Sequence, residues 1–276
     1  ATPEIYTLSL HDALPISWFS AANRLPAEDA LDISSSGNGP IKIAVPMLSR
    51  IANFDDFDPL KLEPSVELLM VKTGKPLPGD ANLIILPGTK STIGDLKFLR
   101  KQGWDIDLQA HVRRGGRVMG ICGGYQMLGQ IINDPEGIEG TAGHIDGLGL
   151  LDVETVMTPE KHLARIIGTD IASGEDITGY EIHIGHTHGP DCDRPILRIN
   201  NRPEGASSKN GLITGFYVHG IFSSDTYRAV FLKSLGAPPS DTKYSTEVEK
   251  TLDALADHLE EHLNIDEMIS MARNGV

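Results

Sequence analysis

Residues 118–129 read VMGICGGYQMLG, and this stretch decides the fold. Apolar residues run up to Cys122, two glycines follow, and helix-forming residues continue from Tyr125. An apolar strand that turns sharply through small residues into a helix is a nucleophile elbow, here with Cys in place of Ser. So tight a turn needs small neighbours on both sides, and Gly120, Gly123 and Gly124 supply them. It carries the sulfur to the start of the helix, where the positive end of the helix dipole favours a thiolate. The N–H of Gly123 is then placed to meet an oxyanion. The plain alternative is a buried cysteine in a strand–helix turn, and three flanking glycines weigh against it.

Outward from the elbow, residues 41–48 (IKIAVPML), 66–71 (VELLMV), 82–86 (NLIIL) and 117–121 (RVMGI) are short apolar runs bounded by Gly and Pro. They read as strands buried on both faces. Helical spacing separates them: Ile93, Leu96 and Leu99 in residues 91–100, then Trp104, Ile106, Leu108 and Val112, ended by Gly115-Gly116. A further helix is expected over residues 125–132. Strands alternating with helices predict an α/β fold, an open and mainly parallel sheet flanked by helices. Short runs at 150–156, 164–171, 180–184, 196–199 and 216–222 read as additional edge or inserted strands of the same domain. Residues 225–235 read as a helix opened by a capping Asp225. Val248, Leu252, Leu255, Leu259 and Leu263 mark one face of an amphipathic helix.

This pattern divides the chain into a leader (1–17), a turn-rich linker (18–40, ending SSSGNGP), a main domain (41–240) and a helical tail (241–276). The leader has no cationic start and no long apolar run, so it is not a secretory signal. Its stretch TLSLHDALPIS resembles translated sequencing-adaptor read-through. The tail holds nine acidic and three basic side chains, as a solvated helix does.

Across 276 residues the net charge is −14, which argues against nucleic acid or an anionic membrane surface as partner. No run reaches the ~18 apolar residues of a membrane span. Two cysteines, Cys122 and Cys192, cannot build a disulfide scaffold, so a reducing, cytoplasmic setting is expected.

A nucleophilic Cys needs a base, and His is the usual one. His219 ends the apolar run FYVHGIF, where strand ends on one sheet edge gather site residues. Pro87-Gly88 ends the third strand in LPGTKST, and Gly88 is a candidate second oxyanion position beside Gly123. That turn is not a phosphate loop, because no G-x-x-x-x-G-K-[ST] occurs in the chain. His183, His186 and His188, with Asp191 and Cys192 close behind, offer imidazoles for zinc, but a period-two strand explains their spacing as well, and no metal is expected.

GICGGYQMLG around Cys122, YVHGIF around His219, LPGTKSTIGDL at 86–96 and GYEIHIG at 179–185 together resemble the cobyric acid synthase family, specifically its C-terminal class I-type glutamine amidotransferase domain. SRIANFDDFDPL at 49–60 and LPAEDAL at 25–31 are similar too. The resemblance implies glutamine as nitrogen donor, Cys122 as nucleophile, His219 as general base and acid, and amidation of adenosyl-cobyrinic acid a,c-diamide carboxylates. It implies ATP and Mg2+ for an N-terminal synthetase domain, and no cofactor for this one. Two departures stand out. Ile221 occupies the place where familiar class I enzymes carry a Glu two residues after the histidine, leaving the orienter of His219 unassigned, with Glu181 as the candidate. The chain also has no phosphate loop and no initiator Met, so a fragment able at most to hydrolyse glutamine is expected. The alternatives are the amidotransferase domain of cobyrinic acid a,c-diamide synthase, and a catalytically silent binding domain.

Overall fold

The computed structural model describes residues 17–25 and 35–274. Most of the expected leader, and most of LPAEDAL, lie outside the described residues. The chain falls into two compact units, one of Ala1–Leu25 with Ser245–Val276 and one of Pro26–Tyr244. In the first, a short 3-10 turn, Ser20–Arg24, precedes the two C-terminal helices described below. Phe19 stacks on His258 at 5.3 Å.

The larger unit opens with β1 (Ile41–Pro46), α1 (Asp58–Lys61), β2 (Val66–Val71) and β3 (Leu83–Leu86). Helices α2 (Thr92–Lys101) and α3 (Trp104–Arg113) follow, then β4 (Arg117–Ile121) and α4 (Gly123–Leu128). Next come β5 (Ile131–Asp134), β6 (Gly143–Asp146), β7 (Glu154–Asp170), β8 (Asp176–His188), β9 (Leu197–Ile199) and β10 (Arg202–Glu204). The unit closes with β11 (Ala206–Ser207), β12 (Ile213–Phe216), β13 (Val218–His219) and α5 (Asp225–Ser234). Helix α6 (Tyr244–His262) begins at the division between the units, and α7 (Ile265–Asn274) completes the chain.

Six strands form one sheet in the order β11-β12-β4-β3-β1-β2. All its pairings are parallel except β11 with β12. The order 2-1-3-4, with β12 in fifth place, is that of a flavodoxin-like sheet, whose ligands lie beyond the carboxyl ends of the strands. Strands β1 to β4 fall within two residues of their expected ranges, because short, mainly apolar runs have one good solution, burial on both faces: β3 is buried at all four residues.

The middle of the chain differs from expectation. Rather than edges of the same sheet, β5 to β10 and β13 form a second, mostly antiparallel sheet built on the long β7/β8 hairpin. The two runs expected at 150–156 and 164–171 are one strand, β7, with a register shift between Val156 and Lys161. The expected helix over 125–132 stops at Leu128, and Ile131 and Ile132 belong to β5. The run 216–222 is divided between β12 in the first sheet and β13 in the second. Asp225 does not cap α5; its carboxylate accepts from Arg228 and from the Tyr244 N–H. Residues 35 and 36 are no free linker. Ser36 exchanges both backbone hydrogen bonds with Leu68, and the Ser35 hydroxyl accepts from the Met70 N–H.

Candidate active site

Cys122 stands between β4 and α4 with φ 53° and ψ −111°, a strained backbone that a packed turn must enforce. The glycines around it do so. A Cβ on Gly124 would lie 2.1 Å from the Leu86 carbonyl oxygen, and one on Gly120 would lie 2.7 Å from the Gly124 backbone. Only hydrogen at both positions lets helix α4 press onto β3 and β4. The Cys122 N–H donates to the Phe216 carbonyl at 2.8 Å, tying the elbow to the end of β12. One residue beyond Phe216, the chain crosses into the second sheet. This crossing brings His219 to the elbow, although the two residues are far apart in sequence.

His219 is fully buried. Its Nδ1 donates to Asp56 Oδ2 at 2.7 Å, and the other Asp56 oxygen accepts the Gly220 N–H at 2.6 Å. The carboxylate is itself buried, so both oxygens are held and the ring is fixed. Nε2 has no hydrogen bond of normal geometry. Burial pulls the imidazole pKa down, but the Asp56 charge and hydrogen bond, with the Cys122 sulfur, outweigh it and hold it up at about 10. The Cys122 thiol donates to the Ile182 carbonyl at 3.3 Å.

A second layer supports the histidine. Tyr180, opposite His219 in the β8/β13 register, stacks on its ring at 5.3 Å. The Tyr180 hydroxyl accepts from Asn53 Nδ2 at 2.8 Å and donates to Asp55 at 3.3 Å. Burial, then the neighbouring Asp56 charge, raise the Asp55 pKa.

Both expected oxyanion positions adjoin the pair. A Cβ on Gly88 would sit 2.9 Å from His219 Cε1, so this glycine makes room for the ring. Gly123 faces the next residue of the same turn, its Cβ position 2.6 Å from Thr89 Cγ2. The Thr89 hydroxyl donates to buried Asp95 at 2.5 Å, which also accepts from Ser49 and the Arg50 N–H, fastening this turn to the segment after β1.

Other expectations are corrected. Glu181 does not orient His219: its side chain lies on the opposite face of β8 and binds Arg202 at 2.7 Å and His162 at 3.0 Å. The true partner, Asp56, comes from the segment ANFDDFDPL, 163 positions away. The histidines of GYEIHIGHTHG do not converge either. Gly185, with φ +82°, lies at the register shift of the β7/β8 pairing, and His186 and His188 beyond it are exposed. His183 instead stacks on Tyr217 at 3.8 Å, and burial first of all lowers its pKa to about 4. Among the described residues two groups have donor atoms close enough to hold a metal, His162–Glu181–His183 and His258–Glu261–His262. In the first, the carboxylate is already shared by Arg202 and His162. Cys192 is half-buried beside the Tyr125 hydroxyl, which lies 3.7 Å from its sulfur.

Comparison with known proteins places these residues in context. Residues 42–227 match the model of the CobB/CobQ-like glutamine amidotransferase domain. Cobyric acid synthase from Cereibacter sphaeroides is 58% identical over 259 residues, covering 94% of this chain and 54% of the relative. The enzyme of the same name from Bradyrhizobium diazoefficiens is 56% identical over the same span. The chain thus spans about half the length of the curated relatives it matches. A chain in the structure of PurLQS from Thermotoga maritima shares the fold, with TM-score 0.51 at 20% identity over 78% of this chain and 99% of that one.

Proposed function

The chain belongs to the CobB/CobQ-like glutamine amidotransferase family, and from that premise we propose that it is the glutamine-hydrolysing half of a cobyric acid synthase, with Cys122 as nucleophile. The observation that carries this reading is the strained Cys122 elbow facing a buried His219–Asp56 pair. The Cys122 sulfur, as thiolate, adds to the glutamine carboxamide carbon. The resulting oxyanion is met by the N–H of Gly123 and by the turn at Gly88. The raised pKa keeps His219 charged at neutral pH, ready to give its proton to the departing ammonia. The neutral imidazole then takes a proton from water, which hydrolyses the thioester and releases glutamate. Asp56 keeps Nδ1 protonated and Nε2 turned to the reacting atoms throughout.

The remaining length of the relatives fits a synthetase part, where ATP and Mg2+ would activate carboxylates of adenosyl-cobyrinic acid a,c-diamide for attack by the ammonia. No cofactor is needed by the Cys122 chemistry itself. No helix of the described residues is long and apolar enough to cross a membrane, and a cytoplasmic biosynthetic role is consistent with that. The purified chain should hydrolyse glutamine slowly and should be alkylated at Cys122 by a glutamine-analogue electrophile. Cys122→Ser should lower the hydrolysis rate ~10³-fold or more. Undiminished turnover by that variant would refute the assignment.

A further inference from the structure

The β7/β8 hairpin has one face turned inward and one outward. Side chains alternate along a strand, so Ile166 and Ile177 are buried on the inner face with Glu181. The outer face of a half-buried antiparallel sheet is ordinarily polar. Here it carries Leu163 at 68% exposure and Ile167 at 71%, with exposed Arg165 between them and exposed Lys161 before them. On the same face of β8, Leu163 is paired with Ile182 and Arg165 with Tyr180, both part-buried, while Ile167 is paired with exposed Thr178. Tyr180 stacks on His219, and the Ile182 carbonyl takes the Cys122 thiol. The apolar strip is therefore continuous with the wall of the candidate active site.

We infer that this outer face is the seat of the polypeptide that makes up the rest of the longer relatives, and that the seated partner presents apolar side chains edged by carboxylates. Three observations support that occupant. The curated relatives carry nearly as much chain again as this one, since the match covers 54% of their length. Alternating cations and large aliphatics, in a chain of net charge −14, suit an acidic and apolar partner. A second copy is disfavoured, because two chains of that charge repel. The inference rests on the reading of this chain as one half of a longer enzyme, but not on the chemistry of Cys122.

The test measures accessibility, so it stays readable even if the thiol is inert. This chain is substituted for the matched half of the Cereibacter sphaeroides relative to give a full-length protein, and compared with the chain by itself. A reporter cysteine is placed by Ile167→Cys on the strip, or by Ile106→Cys on α3, where Ile106 is 67% exposed away from it. Alkylation by iodoacetamide is followed peptide by peptide. The expected result is alkylation at position 167 roughly tenfold slower in the full-length protein, and unchanged at position 106. Equal rates at 167 in both proteins would overturn the inference. So would equal slowing at 106, or protection of 167 in the chain alone that grows with its concentration, which would identify a second copy as the occupant. Should the full-length protein not fold, the two pieces are co-expressed. The Leu163→Lys/Ile167→Lys pair should then abolish co-purification that Ile106→Lys leaves intact, and failure of the unsubstituted pieces to co-purify counts against the inference.

Discussion

The two sheets of the larger unit hold the two halves of one site in different ways. In the parallel sheet β3 is buried along its whole length and β4 at four of five residues, and Cys122 stands directly on that support. In the second sheet β7 is only partly buried, with residues 159–163 all exposed, and His219 sits on β13, only two residues long. A cysteine in strained backbone needs a frame that cannot relax. A histidine needs a partner charge more than a rigid strand, and Asp56 provides it from the 3-10 turn Phe54–Phe57 ahead of α1. Rigidity in one sheet and electrostatics in the other are thus two routes to a fixed side chain.

The sharpest way to break this contrast is at Asp56. Asp56→Asn should lower glutamine hydrolysis by ~10²–10⁴-fold, with most of the loss in kcat, because Nδ1 then loses its anionic partner. The pH profile should move as well: without the carboxylate, burial dominates and the His219 pKa falls below its present value. A variant with unaltered rate and pH profile would show that strand position alone fixes the ring.

Next in size is the frame itself. Gly124→Ala puts a methyl 2.1 Å from a backbone oxygen of β3, a contact that no rotamer can relieve. It should cost ~1–3 kcal/mol of stability, read by denaturant unfolding, with a larger proportional loss of activity as the elbow opens. If the variant keeps full stability, the elbow is softer than its packing indicates.

The smallest effect compares two histidines on neighbouring strands, shifted in opposite directions. His219 has its pKa raised from 6.5 to about 10, so its stabilising contribution is full below pH 6.5 and is lost as pH rises through 10. His183 has its pKa lowered to about 4, so its contribution is full above pH 6.5 and is lost as pH falls through 4. Thermal melts across pH should show an alkaline slope that weakens in His219→Asn and an acid slope that weakens in His183→Asn. Slopes unaltered by either substitution would assign the pH dependence to other groups.

Much of this was legible in the linear chain, for reasons the two sheets again separate. The ranges of β2 and β4 follow from short, mainly apolar runs, broken only by Glu67 in the edge strand β2 and headed by Arg117 in β4. Cys122 could be singled out because its requirements are local: three glycines within two residues. Asp56 carried no such mark. It is one of two adjacent aspartates in a short 3-10 turn, and only the path of the chain 163 positions later gives it a partner. Strand β7 reads as two runs in the sequence because residues 157–163 (MTPEKHL) set Pro159, Glu160, Lys161 and His162 between two apolar stretches. Glu181, the candidate orienter, is turned away from His219 by strand alternation, and Tyr180 lies on the histidine's side instead.

The pairing of Ser36 with Leu68 has a consequence for solubility. In the six-stranded sheet β2 is the outermost parallel strand, and an outermost strand offers unpaired N–H and C=O groups to any other chain. Residues 35 and 36 occupy part of that edge, and Gly37 and Gly39 lie so close to residues 65 and 66 that a methyl on either would strike their backbone. A chain shortened to begin at Ile41 would lose no residue of the candidate active site. It would, however, expose a bare strand edge, and sheet-to-sheet aggregation rather than loss of fold is the failure to expect from it.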